Sequence, residues 1–180
     1  MEVTVKELAD QEDFCYTTGM DRRTVARTTP SRIEWLTDLV RLEIALWERV
    51  DRRLRDEHDL SLAFFEVLYF VGSSRECGLR VGDLARALRV TVGGTSKLVD
   101  RIEVAGLIRR APDVEDRRAS RLVLTDAGRL KLAATSDAVE AEMASVLDTT
   151  LSSAEQHCLH GLVTGLVTRL LAAADDSGAS

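Results

Sequence analysis

The 180-residue sequence has little of what interrupts or staples a chain: two prolines, three cysteines and 4% aromatic residues. Scarce proline permits long helices, and abundant Ala and Leu favour them. Cys15, Cys77 and Cys158 are far apart, odd in number and contain no Cys-x-x-Cys, which argues against a disulfide framework and a structural zinc site. The longest apolar stretch, Leu159 to Ala174, is broken by His160 and Arg169 and falls short of the roughly 20 residues a membrane span needs. The N-terminus, MEVTVKELADQEDF, is acidic and lacks the apolar run of a secretory leader, so a cytoplasmic protein with no membrane partner is expected. No Gly-rich phosphate loop, Gly-x-Ser-x-Gly or His-Glu-x-x-His occurs, so neither an enzyme nor a cofactor is expected. His157 and His160 stand at i, i+3 without a clear cluster of further ligands, and are read as ordinary helix histidines with no metal.

What is present is an apolar content of 45%, enough for one core in a chain of single-domain length. The net charge of −6 is unevenly spread. Residues 75–131 hold 13 Lys and Arg against 8 Asp and Glu, whereas the remainder holds 11 against 22. A basic segment in an acidic chain is the footprint of a lobe that meets a polyanion.

That segment contains the most informative pattern, VGDLARALRVTVGGTSKLVDRIEVAGLIRRAPDVEDRRASRLVLT from Val81 to Thr125. A short helical pattern, Gly82 to Leu88, precedes a tight turn at Arg89-Val90-Thr91. A second runs from Val92 to Val104 and stops at Gly106. Two β-like runs, Leu107–Arg110 and Arg121–Leu124, then flank a charged tip, and Leu79-Arg80 is a candidate third strand. Helix, turn, helix and hairpin spell a winged helix-turn-helix, which presents its second helix to a DNA groove.

At about 100° per residue, Thr95, Leu98, Val99, Ile102 and Ala105 share the core side of that helix. Gly93, Ser96, Lys97, Asp100 and Arg101 share the other. Lys97 and Arg101 lie one turn apart and can reach bases or phosphates together. Gly93-Gly94 is costly inside a helix, and is either a bare backbone for close approach to DNA or a loose first turn. At the hairpin tip, Asp116 precedes Arg117 and Arg118, and arginine suits a narrow minor groove, with Asp116 placed to hold Arg118.

These residues resemble the MarR (multiple antibiotic resistance regulator) family of transcription factors. Leu88 to Glu103 resembles its recognition helix and Gly106-Leu107-Ile108-Arg109-Arg110 the strand after it. Asp116 to Thr125 matches the wing signature Asp-x-Arg, five residues, Leu-Thr, and Asp126-Ala127-Gly128 its continuation. The resemblance covers roughly residues 32 to 173 and implies a mainly α fold: a winged helix-turn-helix with long N- and C-terminal dimerisation helices and a small antiparallel β-hairpin wing.

The organisation expected is as follows. Residues 1–30 are an N-terminal extension, partly disordered, and 31–174 are the winged-helix domain. Within it, 31–57 and 126–174 are dimerisation helices and 61–125 the DNA-binding lobe, with the helix-turn-helix at 80–105 and the wing at 107–124. Residues 175–180 are a disordered tail. Ser31-x-x-Glu34 and Ser152-x-x-Glu155 are capping boxes. The first long helix carries Leu36, Leu39, Val40, Leu46, Trp47, Val50 and Leu54 as an apolar stripe. The next, Leu62 to Val71, is apolar nearly all round and expected to be buried. The helix after the wing takes Leu130, Leu132, Ala133, Val139, Met143, Val146 and Leu147 as its inner face. The last carries Gly161-x-x-x-Gly165 beside Leu162, Leu166 and Leu170, a close-packing seam.

Family membership would imply a homodimer on double-stranded DNA, a repressor released from a pseudo-palindromic operator by a small-molecule effector. Thr91, Gly93, Gly94, Ser96, Lys97, Arg101, Asp116, Arg117 and Arg118 are the candidate DNA-binding residues. Trp35, Trp47, Phe64, Phe65 and Tyr69 are candidate walls of an effector pocket, with Arg41 as counter-charge, suiting an aromatic or lipophilic anion. Two other readings stand beside this one: a winged-helix protein-interaction module without DNA binding, consistent with the acidic total charge, and a redox-sensing regulator acting through Cys15.

Overall fold

The computed structural model describes residues 31–74, 78–113, 116 and 119–177, with side chains to residue 172. It is mainly helical: α1 Arg32–His58, α2 Leu62–Ser73, β1 Leu79–Arg80, α3 Val81–Leu88, α4 Val92–Val104, β2 Ile108–Pro112, β3 Ser120–Leu124, α5 Asp126–Thr150 and α6 Ser153–Ser177. The three strands form one antiparallel sheet in the order β1-β3-β2, with Leu79 opposite Leu122 and Arg110 also opposite Leu122 from the other side. The expected third strand is therefore present, and the hairpin reaches two residues farther toward its tip on β2 and one on β3 than the apolar runs indicated.

The described residues divide into two compact units, 33–143 and a second that takes in 31–32 and 144–177. In the first, α2, α3, α4 and the sheet share one core. Val67, Leu68, Leu84, Val99, Ile102, Ile108 and Leu122 are all but inaccessible to solvent. Burying such a side chain stabilises by about 1.5–3 kcal/mol, so Val99 and Ile102 suffice to pin α4 along one side. A smaller cluster joins Val50 and Leu54 of α1 to Ala138 of α5, with Phe65 and Met143 against it. Beside it Glu142 accepts from Arg49 Nε at 2.7 Å and Arg53 Nη1 at 3.2 Å.

Caps set the boundaries. Ser61 Oγ accepts from Phe64 N–H at the start of α2. Asp51 Oδ1 takes the Leu62 N–H at 2.8 Å, tying α1 to the same helix end. Thr125 Oγ1 accepts from Gly128 N–H at 2.9 Å and donates to Gly106 O at 2.7 Å, seating the first turn of α5 on the root of the wing. A Cβ on Gly128 would run into the Leu107 carbonyl, so the glycine after Asp126-Ala127 is required by this contact. In the second unit the Ser152 capping box forms: Glu155 Oε2 accepts from Ser152 Oγ at 2.7 Å and from Ser152 N–H at 2.8 Å, and these bonds, the hydroxyl's first, draw the Glu155 carboxyl below its ordinary pKa.

Several expectations need correction. In α1 only Val50 and Leu54 are buried; Leu36, Leu39, Val40 and Trp47 are exposed in the single chain. In α2 every residue from Leu62 to Val71 is buried or partly buried as expected, except Tyr69, which is half exposed. On α5 Leu132, Val139 and Met143 pack inward as expected, beside buried Gly128, Thr135 and Ala138, whereas Leu130 and Ala133 face out. Ala105 is the exposed C-cap of α4 and not a core residue. Helix α6 runs to Ser177 and takes in residues assigned to a disordered tail. Cys158 is disulfide-bonded, with both other cysteines outside the described residues; sequence spacing could not reveal this, because pairing depends on separation in space.

Candidate nucleic-acid interface

The candidate surface is built on α4 and the wing root. Left-handed Arg89, at φ 57°, closes α3, and Thr91 then opens α4 by accepting from Gly94 N–H. The first turn is thus capped and not loose. Gly93 is exposed, with open space where a side chain would sit, so nothing within the protein demands a glycine there. Thr95, Val99 and Ile102 face the core, as the 100° periodicity predicts.

Lys97 is exposed and free of any ion pair among the described residues. Arg101 is exposed too, but its guanidinium lies 5.2 Å above the Phe64 ring. The two cations expected to act together are thereby split: Lys97 projects freely, and Arg101 is partly spent on a cation–π contact with α2. Ser96 Oγ donates to Val92 O at 2.9 Å.

Two groups of charges lock this surface, and neither was singled out from sequence. On the strand after α4, Arg110 Nη2 pairs with Asp100 Oδ1 at 2.6 Å and Nη1 with Glu103 Oε2, while the Arg110 backbone N–H donates to Glu103 Oε1 at 2.9 Å. The hydrogen bond to Asp100 comes first in raising the Arg110 pKa, against a loss from burial. The second group centres on Asp113, whose carboxylate is fully buried. Its Oδ2 accepts from Arg80 Nε and Arg121 Nε, each at 2.8 Å, and its Oδ1 from Asp116 N–H at 3.3 Å. Arg121 Nη1 also donates to Gly78 O. The Asp113 hydrogen bond, ahead of its Coulombic attraction, raises the Arg80 pKa. One buried carboxylate therefore joins all three strands at the tip end of the hairpin. The available signals were an acidic i, i+3 pair beside Arg109-Arg110 and an Asp after Pro112, but ion pairing across elements has no period to betray it.

Asp116 is exposed, and its carbonyl accepts from Ala119 N–H at 2.9 Å. Arg117 and Arg118 lie outside the described residues, and with them the expected Asp116–Arg118 pairing. Of the candidate effector-pocket residues, Phe65 and Tyr69 stack at 6.1 Å between centroids. Phe64 lines an open cavity of about 460 Å³ with Asp100, Arg101 and Val104. Trp35 and Trp47 are exposed on α1, and exposed Arg41 pairs with Asp38 at 3.8 Å. No group of three or more potential metal ligands occurs among the described residues, and His157 and His160 are exposed on α6. Cys15 and Cys77 fall outside them. No described helix is long and apolar enough to cross a membrane.

Residues 58–119 match the model of the MarR family. No functionally curated protein matches the sequence. Among solved structures, the chain is similar to AbsC, a MarR family transcriptional regulator from Streptomyces coelicolor, at 22% identity and TM-score 0.67, covering 78% of this chain and 96% of that one. It is similar to the S. aureus MepR–DNA complex at 24% and 0.62, covering 78% and 99%. It is also similar to CouR from Rhodococcus jostii RHA1 bound to p-coumaroyl-CoA, at 20% and 0.65, covering 76% and 92%. The family-model match falls on 62 of the 180 residues, around the helix-turn-helix, while the fold likeness spans most of the chain, so the chain has a winged helix-turn-helix fold similar to that of the MarR family regulators.

Proposed function

We propose that the protein is a homodimeric, cytoplasmic DNA-binding regulator of transcription, and a repressor released by a small molecule. The observation that carries the DNA-binding reading is α4 itself: one side is sealed into the core, and the opposite side offers Gly93 and the free Lys97 to solvent beside the wing. In a two-fold dimer, two such helices about 34–36 Å apart enter successive major grooves of a pseudo-palindrome. Thr91, Gly93, Gly94, Ser96 and Lys97 approach bases, Arg101 bases or phosphate, and the Asp116-Arg117-Arg118 tip the flanking minor groove or backbone.

A second copy is the partner that fits the bare apolar positions. Ile33, Leu36 and Ile44 on α1, and Leu162, Leu166 and Leu170 on α6, are each at least 47% exposed in one chain, more apolar surface than a soluble monomer ordinarily leaves wet. For the effector we infer an aromatic or lipophilic anion, bounded by Trp35, Trp47, Phe64, Phe65 and Tyr69 with Arg41 as counter-charge. It releases DNA by binding one spacing of the two lobes better than the other. That one similar structure, CouR, holds an acyl-CoA supports a small-molecule effector.

The test is fluorescence anisotropy on a selected duplex over a salt series. Lys97→Ala weakens binding, and Arg118→Ala lowers affinity across sequences and reduces the salt slope by roughly one. Unchanged binding in both variants refutes the proposal.

A further inference from the structure

The exposed chemistry around the first turn of α4 is mostly apolar. Val92, the first residue of the helix, is 56% exposed, and Val90, in the turn before it, 50%. Neither belongs to the core cluster formed by the neighbouring helices. The nearby hydroxyls are largely committed within the protein. Thr91 Oγ1 accepts from Gly94 N–H, Thr95 is buried with its hydroxyl donating to Thr91 O, and Ser96 spends its proton on Val92 O. Farther along, Asp100 is held by Arg110 and Arg101 lies over Phe64. Among the described residues of this surface, Lys97 on the helix and Arg89 in the turn before it are uncommitted charged donors, and Gly93 leaves the backbone bare between Lys97 and Val92.

In the major groove each base pair shows a distinct edge. An apolar side chain has one apolar partner there, the 5-methyl group of thymine, and a lysine ammonium suits the O6 and N7 acceptors of guanine. We infer that this protein selects its half-site chiefly through thymine methyls packed against Val92 and Val90, next to a guanine met by Lys97. The inference rests on the DNA-binding reading and deepens it by naming the base chemistry the helix takes. Bare Gly93 permits the close approach that methyl–methyl contact demands, since such contacts act only within about 4–4.5 Å. A helix reading through amides or arginines would tolerate a wider gap.

The experiment uses the full chain and a duplex enriched from a randomised pool. Thymines of that duplex are replaced singly by deoxyuridine, which deletes only the 5-methyl group. At one or two positions per half-site, affinity falls about four-fold per methyl lost. Val92→Ala or Val90→Ala binds the thymine and uracil versions of that position equally. Because both side chains are exposed, the variants keep the wild-type melting temperature. Equal affinity of the wild type for the thymine and fully uracil-substituted duplexes overturns the inference and leaves DNA binding intact. So does thymine discrimination that persists in both valine variants. Failure to enrich any duplex overturns the DNA-binding reading first and this inference with it.

Discussion

Arg110→Ala is the substitution from which most can be learned about how this surface tolerates acid next to DNA. In the folded chain Arg110 covers two carboxylates, Asp100 and Glu103, one turn apart on α4. Removing the guanidinium leaves Glu103 bound to the Arg110 backbone N–H but uncovers both negative charges. The cost to folding is small. The side chains are 34%, 60% and 33% exposed for Arg110, Asp100 and Glu103, so each pair is worth at most about 1 kcal/mol, and the melting temperature falls by roughly 2–4 °C. The cost to binding is larger. A carboxylate about 7 Å from a phosphate is repelled by about 0.6 kcal/mol even at the dielectric constant of water. Two carboxylates facing about two phosphates each give roughly 2 kcal/mol, or about 30-fold in Kd. Anisotropy on the wild type, Arg110→Ala, Asp100→Asn/Glu103→Gln and the triple variant closes a mutant cycle. Neutralising the two acids in the wild type changes Kd little, because Arg110 already covers them, whereas in Arg110→Ala it restores binding. If Arg110→Ala binds like the wild type, or the neutralised acids help equally in both backgrounds, Arg110 does not act as a cover and the reasoning fails.

Three further outcomes are expected. Gly128→Ala forces α5 off the Leu107 carbonyl and lowers stability by about 2 kcal/mol or more, seen as a reduced denaturation midpoint, whereas Gly93→Ala, with open space around it, leaves folding within about 1 kcal/mol of the wild type. Asp113→Ala strips two guanidiniums of their buried partner and destabilises the wing sheet by about 3 kcal/mol, with faster amide exchange at Leu79 and Leu122; unaltered exchange refutes the joint. Two carboxylates set a response to acid. Arg49's hydrogen bond holds Glu142 below its ordinary 4.5; at Asp51 burial pushes upward, but the bonds from Arg55 and Leu62 N–H outweigh it and hold the group below 3.8. Folded values below the unfolded ones mean that this stabilisation is complete above about pH 5 and is lost as pH falls through the folded values. Melting at pH 7, 5 and 3 therefore shows a smaller acid loss in Glu142→Gln than in the wild type.

What could be known from the chain alone was local. The limits of α4, Val92 and Val104, followed from periodicity and the stop at Gly106. The turn at Arg89-Val90-Thr91 and the hairpin followed from pattern too, because caps, turns and 3.6-residue stripes are short-range properties that a few neighbouring residues decide. Tertiary structure alone decided how the charges were spent. Arg101 was set over Phe64, Arg110 across Asp100 and Glu103, and Asp113 between Arg80 and Arg121. It also left Leu36 and Trp47 of an apparent core stripe in solvent while burying Val50 and Leu54 of the same stripe. An apolar or charged side chain states what contact would satisfy it; which neighbour arrives depends on how elements distant in sequence pack, and no periodicity along one element encodes that.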